Sequence, residues 1–153
     1  MIVTLDTNVI INACKKHSWD HLSVLDRVRL VHQIALDIEG KILAEYRGKC
    51  SGNELFEKWF QEIWQRVQQV PGRLENRHVR RLSKIGCHEP SDHVFVAVAE
   101  RTDRYLVTED SDFGGHANRG LAKPEVADYL KGKVGLTVHD AKEARNHLSR
   151  AAS

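Results

Sequence analysis

Short β-rich runs alternate with longer helical ones along this chain. That alternation constrains the fold most, because strands joined through helices build a parallel sheet with crossover helices. Ile2 to Leu5 reads as a first strand. It leads at once into Asp6-Thr7-Asn8 and an apolar helix through Val9, Ile10, Ile11 and Ala13, with Asp6 or Thr7 as N-cap. A second helix is expected over 20–30, a second strand over 33–36, and a third helix opened by Asp37. In that helix Ile38, Ile42 and Glu45 fall at i, i+4 and i+7, so an acid continues an inward-facing apolar row, with Tyr46 on the same side. The stripe Leu55, Phe56, Trp59, Phe60, Ile63, Trp64 and Val67 predicts an amphipathic helix over 55–67 whose aromatics pack in the core. Ser91 is expected to cap an apolar helix over 93–101. Tyr105-Leu106-Val107 reads as a strand, 124–130 as a helix and 134–138 as a last strand, and Asp140 caps a closing helix with Ala141, Ala144 and Leu148 inward. The class is α/β, and 153 residues, 41% of them apolar, suit one domain spanning 1–153.

Charge and apolar run length exclude several function classes. Lys and Arg number 23 against 21 Asp and Glu, so nucleic-acid contact would require a local patch and not bulk attraction. The longest wholly apolar stretch is the six residues 94–99, far short of the roughly 20 that span a bilayer. No basic segment leads into an apolar one at Met1-Ile-Val-Thr-Leu-Asp6, so no secretory signal is expected. Cys14, Cys50 and Cys87 are widely spaced without any CxxC, which argues against a disulfide framework or zinc site and for a reducing cytoplasm. His17, His21, His32, His88, His93, His116, His139 and His147 show no ligand spacing and read as surface or core residues. Gly114-Gly115 lacks the flanking residues of a phosphate cradle.

In an open parallel sheet ligands collect beyond the carboxyl ends of the strands. Asp6 follows the first strand, and Asp110 and Asp112 follow Tyr105 to Val107. Asp37, after the second, is more simply an N-cap. Glu45 and Asp92 lie on helix faces lined by apolar residues, Asp92 sharing its side with Phe95 and Ala99. Each acid alone has a structural explanation: helix capping or a helix dipole for Asp6 and Asp92, a polar turn for Asp110 and Asp112, a surface ion pair with Arg47 or Lys49 for Glu45. Together they point elsewhere. Two like charges about 4 Å apart cost around 4 kcal/mol at an effective dielectric near 20, so a convergent set needs protons or a cation. Hard oxygen ligands without His or Cys suit Mg²⁺ or Mn²⁺, ions that support phosphodiester hydrolysis without a nucleophilic side chain.

Four fragments in order, Leu5-Asp6-Thr7-Asn8-Val9-Ile10, Ile42-Leu43-Ala44-Glu45-Tyr46-Arg47, Asp92 opening an apolar helix, and Tyr105-Leu106-Val107-Thr108-Glu109-Asp110-Ser111-Asp112-Phe113, resemble the PIN-domain family. The resemblance implies a three-layer α/β/α sandwich around a parallel sheet and a Mg²⁺- or Mn²⁺-dependent nuclease acting on RNA. It places the family's acids on Asp6, Glu45, Asp92 and Asp110, with Asp112 auxiliary and Asn8 and Thr108 orienting carboxylates by hydrogen bonds. Glu89 stands where members often carry an Asp, which weakens any role for that position. A compact chain of this kind resembles the toxin of a toxin–antitoxin pair, with an antitoxin or other protein partner on the exposed part of helix 55–67, or a homodimer there. It equally resembles the nuclease of a defence or RNA-processing assembly.

Arg77, Arg81 and Lys84 fall on one helical side and form a basic ridge suited to the phosphates of RNA, tRNA or mRNA, or simply to solvation. No stacking aromatic accompanies it, so base readout is not expected. The competing class is a catalytically silent PIN-like module that binds RNA or protein. A phosphatase of the haloacid dehalogenase type is set aside, since Asn8 stands where its second Asp belongs.

Overall fold

The computed structural model describes residues 1–116 and 120–151. Its strands are β1 (Ile2–Leu5), β2 (Gln33–Asp37), β3 (Val67–Val70), β4 (Tyr105–Val107) and β5 (Thr137–His139). They form one sheet in the order β3-β2-β1-β4-β5 with every pair parallel. The helices are α1 (Thr7–Cys14), α2 (Trp19–Val31), α3 (Lys41–Cys50), α4 (Glu54–Ile63), α5 (Asn76–Ile85), α6 (Pro90–Glu100), α7 (Pro124–Tyr129) and α8 (Ala141–Ala151). The architecture is a three-layer α/β/α sandwich. In one layer α2 packs on both α1 and α8. In the other, α6 lies across β1, β2 and β4 with every residue from 92 to 99 buried. Among the described residues no helix is long and apolar enough to cross a membrane.

The strand order carries a functional consequence. From β1 the chain moves outward to β2 and β3, then returns to add β4 and β5 on the other side of β1. The direction therefore reverses between β1 and β4, and a crevice opens at the carboxyl ends of these two neighbours. Asp6 and Thr108 follow those ends directly.

Several expected boundaries shift, each for a local reason. The 55–67 helix ends earlier: α4 stops at Ile63, a 3-10 turn covers Trp64–Arg66, and Val67–Val70 joins the sheet beside β2. Val67 lies in register with the helical stripe and Gln68 and Gln69 are exposed, so periodicity alone could not reveal an edge strand; pairing with β2 decides it. Phe56, Trp59, Phe60 and Ile63 are core as expected, whereas Leu55 and Trp64 are exposed. Ile38 is also exposed, because α3 begins only at Lys41 after a left-handed Gly40 (φ 85°). Asp37 instead ends β2 and caps α3 across the turn, accepting from the Lys41 and Ile42 N–H groups at 2.8 Å each. α6 starts at Pro90 and not after Ser91, with Pro at the first helical position, where its missing N–H leaves no bond unmade. The last strand sits at 137–139 instead of 134–138.

Tyr46, fully buried on α3, donates its hydroxyl to the Leu5 carbonyl and so ties that helix to the end of β1, one residue before Asp6. Tyr46→Phe leaves that carbonyl without this donor and is expected to lower stability by about 1–3 kcal/mol. Urea unfolding measures it; a loss below about 0.5 kcal/mol contradicts the tie.

Candidate functional site

Asp6 is the N-cap of α1, accepting from the Thr7 N–H at 2.7 Å, while its own N–H donates to Val107 O at 2.9 Å. Its other carboxylate oxygen accepts from Thr108 Oγ1 at 2.6 Å, and the same hydroxyl accepts from the Asp110 N–H at 3.0 Å. Asn8 Oδ1 accepts from the Glu109 N–H at 3.2 Å. The loop after β4 is thus fastened to the start of α1 through Thr108 and Asn8. Asp110 caps a short 3-10 turn, Ser111–Phe113, by accepting from the Asp112 N–H at 2.9 Å. Gly114 (φ 107°) then turns the chain where a Cβ would lie 2.7 Å from the Ala127 backbone, so only glycine lets the acidic loop return against α7. Capping and convergence coexist at Asp6 and Asp110.

Asp92, in the first turn of α6, meets these groups from the other layer. Asp92, Asp110 and Asp112 each bring a carboxylate oxygen to within 4.8 Å of the others. Burial, opposed by the bonds from Thr108 and Thr7 and reinforced by the charges of Asp110 and Glu45, pushes the Asp6 carboxyl up to about 6. Burial and the charges of Asp6, Asp110, Asp112 and Glu45 push Asp92 up to about 7. The five acids therefore share one electrostatic site. Glu45, half-buried on α3, lines a cleft with Ile42, Pro90 and Val94, opposite the start of α6.

The donor set fits a hard divalent cation. It is all carboxylate, and two of its members are held toward the neutral form by burial and by their like-charged neighbours. Lys123 was not foreseen. Its ammonium donates to Asp112 Oδ1 at 2.5 Å and to Gly86 O at 2.7 Å, so Asp112 has a cation of its own at the rim. Its place, eleven residues beyond Asp112 and before a short helix, carries no local signal.

The basic ridge is only partly at this site. α5 runs antiparallel to α6: His78 near its start faces Glu100 at the far end of α6, and Gly86 at its end is bonded to Lys123. Lys84 accordingly lies toward the end of α5 that faces the acids, exposed Arg81 midway, and Arg77 at the other end, paired with Glu75 at 2.9 Å.

No protein-family model and no curated protein matches this sequence. The fold is similar to that of a chain in the crystal structure of VapBC2 from Rickettsia felis bound to a DNA fragment from their promoter. The two are 17% identical, the match covers 92% of this chain and 98% of that one, and the TM-score is 0.50. At that identity the likeness speaks for the fold, which is PIN-like.

Neutralising one acid should relieve the crowding. A raised carboxyl pKa means the folded state holds its proton longer than the unfolded one. Stability is then full below the unfolded value of 3.8 and is lost as pH rises toward about 7. Asp92→Asn is expected to gain roughly 1–3 kcal/mol over the parent between pH 5 and 7 in EDTA, levelling off above that. Thermal unfolding against pH reads the difference, and a flat one contradicts the shared site.

Proposed function

We propose that residues 1–153 form a Mg²⁺- or Mn²⁺-dependent endoribonuclease of PIN type. The observation that supports it most is the meeting of Asp6, Glu45, Asp92 and Asp110, from two helix starts, the middle of α3 and a loop, in one desolvated carboxylate site at the topological switch point. These four would hold the ion, with Asp112 auxiliary. A divalent ion bound there supplies the Lewis-acid charge for phosphodiester hydrolysis. The chain's own residues supply position. Thr108 holds the Asp6 carboxylate and the Asp110 backbone with a single hydroxyl, and the Asp112 N–H holds the Asp110 carboxylate, so both acids are oriented before binding. Asn8 keeps the Glu109 backbone from drifting off α1. Lys84 and Arg81 would guide RNA phosphates toward the acids along α5, with Arg77 contributing least because of its distance and its pairing with Glu75.

A cytoplasmic toxin with a protein partner is the setting we favour over a defence or RNA-processing assembly, and the VapBC2 neighbour, bound to a fragment of promoter DNA, supports it. An antitoxin or a second copy would seat on the groove between α2 and α4 lined by Leu22, Leu25, Leu55 and Trp59. The three buried free thiols suit a reducing compartment.

Asp6→Asn and Asp92→Asn are each expected to slow cleavage of single-stranded RNA or tRNA by on the order of 100-fold or more, and EDTA to abolish it. Parent-like cleavage by both variants, or activity in EDTA, refutes the assignment, and Mn²⁺ binding without cleavage by the parent identifies a silent module instead. In the same assay Lys84→Ala should weaken RNA binding and lower its salt slope by about 1, with Arg77→Ala near neutral. Equal effects would show that the ridge acts as a whole.

A further inference from the structure

His116, Asp140 and Glu143 lie behind the acidic loop and take no part in the site described above. His116 is 4% exposed, and its two ring nitrogens have different surroundings. Nε2 lies 2.8 Å from the Thr108 carbonyl, which can only accept, so Nε2 carries a proton. In the neutral ring Nδ1 is then a bare lone pair. That nitrogen is buried without a hydrogen-bond partner and points at Glu143 Oε1, another acceptor, 3.4 Å away. The Nδ1 lone pair and the Glu143 oxygen, which also accepts from the Asp140 N–H, leave room for a cation between them. A metal fits that spacing: two bonds of about 2.1 Å at the tetrahedral angle set their ligand atoms about 3.4 Å apart. Asp140 supplies a third ligand atom, all three lying within 4.8 Å of one another.

We infer that His116, Asp140 and Glu143 form a second metal site, one that takes a zinc-class transition ion. One imidazole and two carboxylates make a mixed nitrogen and oxygen set, which suits Zn²⁺ better than the hard ions favoured by all-carboxylate ligands. The ligands are oriented by their neighbours, the two acids through the capping box that opens α8. The Thr108 carbonyl fixes the histidine tautomer. Asp140 and Glu143 clamp each other, Asp140 Oδ1 accepting from the Glu143 N–H at 2.8 Å and Glu143 Oε1 from the Asp140 N–H at 3.0 Å. The ion would join the loop carrying Asp110 and Asp112 to the first turn of α8, where Glu109 already accepts from the Ala141 N–H at 3.0 Å. Its role would be to hold that loop in place, separate from any ion in the acidic crevice.

The test uses the full chain carrying Asp6→Asn and Asp92→Asn, which disables the acidic crevice as a competing binder, titrated with Zn²⁺ in excess Mg²⁺. One Zn²⁺ is expected per chain, with a rise in unfolding temperature and, for Co²⁺ in its place, the intense visible absorption of a tetrahedral ion. Adding His116→Gln or Glu143→Gln should each weaken Zn²⁺ binding at least about 10-fold and remove the thermal shift. Should His116→Gln fail to fold, Glu143→Gln, on the half-exposed first turn of α8, decides alone. Absence of Zn²⁺ uptake, or uptake that the Glu143 change leaves intact, overturns the site. Because Asp6 and Asp92 are already replaced in this background, neither result bears on the nuclease reading.

Discussion

Asp6 is held by three neighbours at once: the Val107 carbonyl takes its N–H, the Thr108 hydroxyl binds one carboxylate oxygen, and the Thr7 N–H binds the other. The first two contacts depend on β1 lying parallel to β4 in the register Thr4 to Leu106 and Leu5 to Val107, whereas the third is local to the start of α1. A slip of one residue in that pairing would turn the side chains of β1 to the opposite face and carry Asp6 away from Thr108. The remaining acids reach the crevice by other routes. α6 delivers Asp92 from the opposite layer, and α3 brings Glu45 by way of the Asp37 cap and the Tyr46 tie.

Assembling these carboxylates works against stability, and the fold limits the conflict without removing it. Hydrogen bonds from Thr108 and Thr7 favour the charged form of Asp6, yet burial outweighs them. Lys123 neutralises Asp112 only, at the rim. What is left is a centre that keeps protons to near neutral pH, and a divalent ion bound there would displace them from the same oxygens.

The parts of this arrangement that could be read from the sequence are those written locally. β1 and β4 stand out as apolar runs ending in acids, and α6 as an apolar helix with Asp92 in its first turn. Glu45 was found by helical spacing, although Ile38, the residue from which the row was counted, lies outside α3. β3 escaped because Val67 continues a helical stripe and the strand exists through its pairing with β2. Lys123 and the His116, Asp140 and Glu143 group escaped because their meaning lies in contacts across intervals that no motif spans. The basic ridge was visible as a helical face, but its orientation, with Lys84 near the acids and Arg77 remote, depends on α5 running antiparallel to α6.

The order β3-β2-β1-β4-β5 also governs when the crevice can come into being during synthesis. Its first acid leaves the ribosome with β1, but the strand that partners it follows about a hundred residues later, and the long closure between them is slow to form. A nascent chain, or one cut short by a premature stop before β4, would carry Asp6 and Glu45 without Thr108 or Asp110. Such fragments would lack a complete crevice, which closes abruptly once β4 has paired with β1.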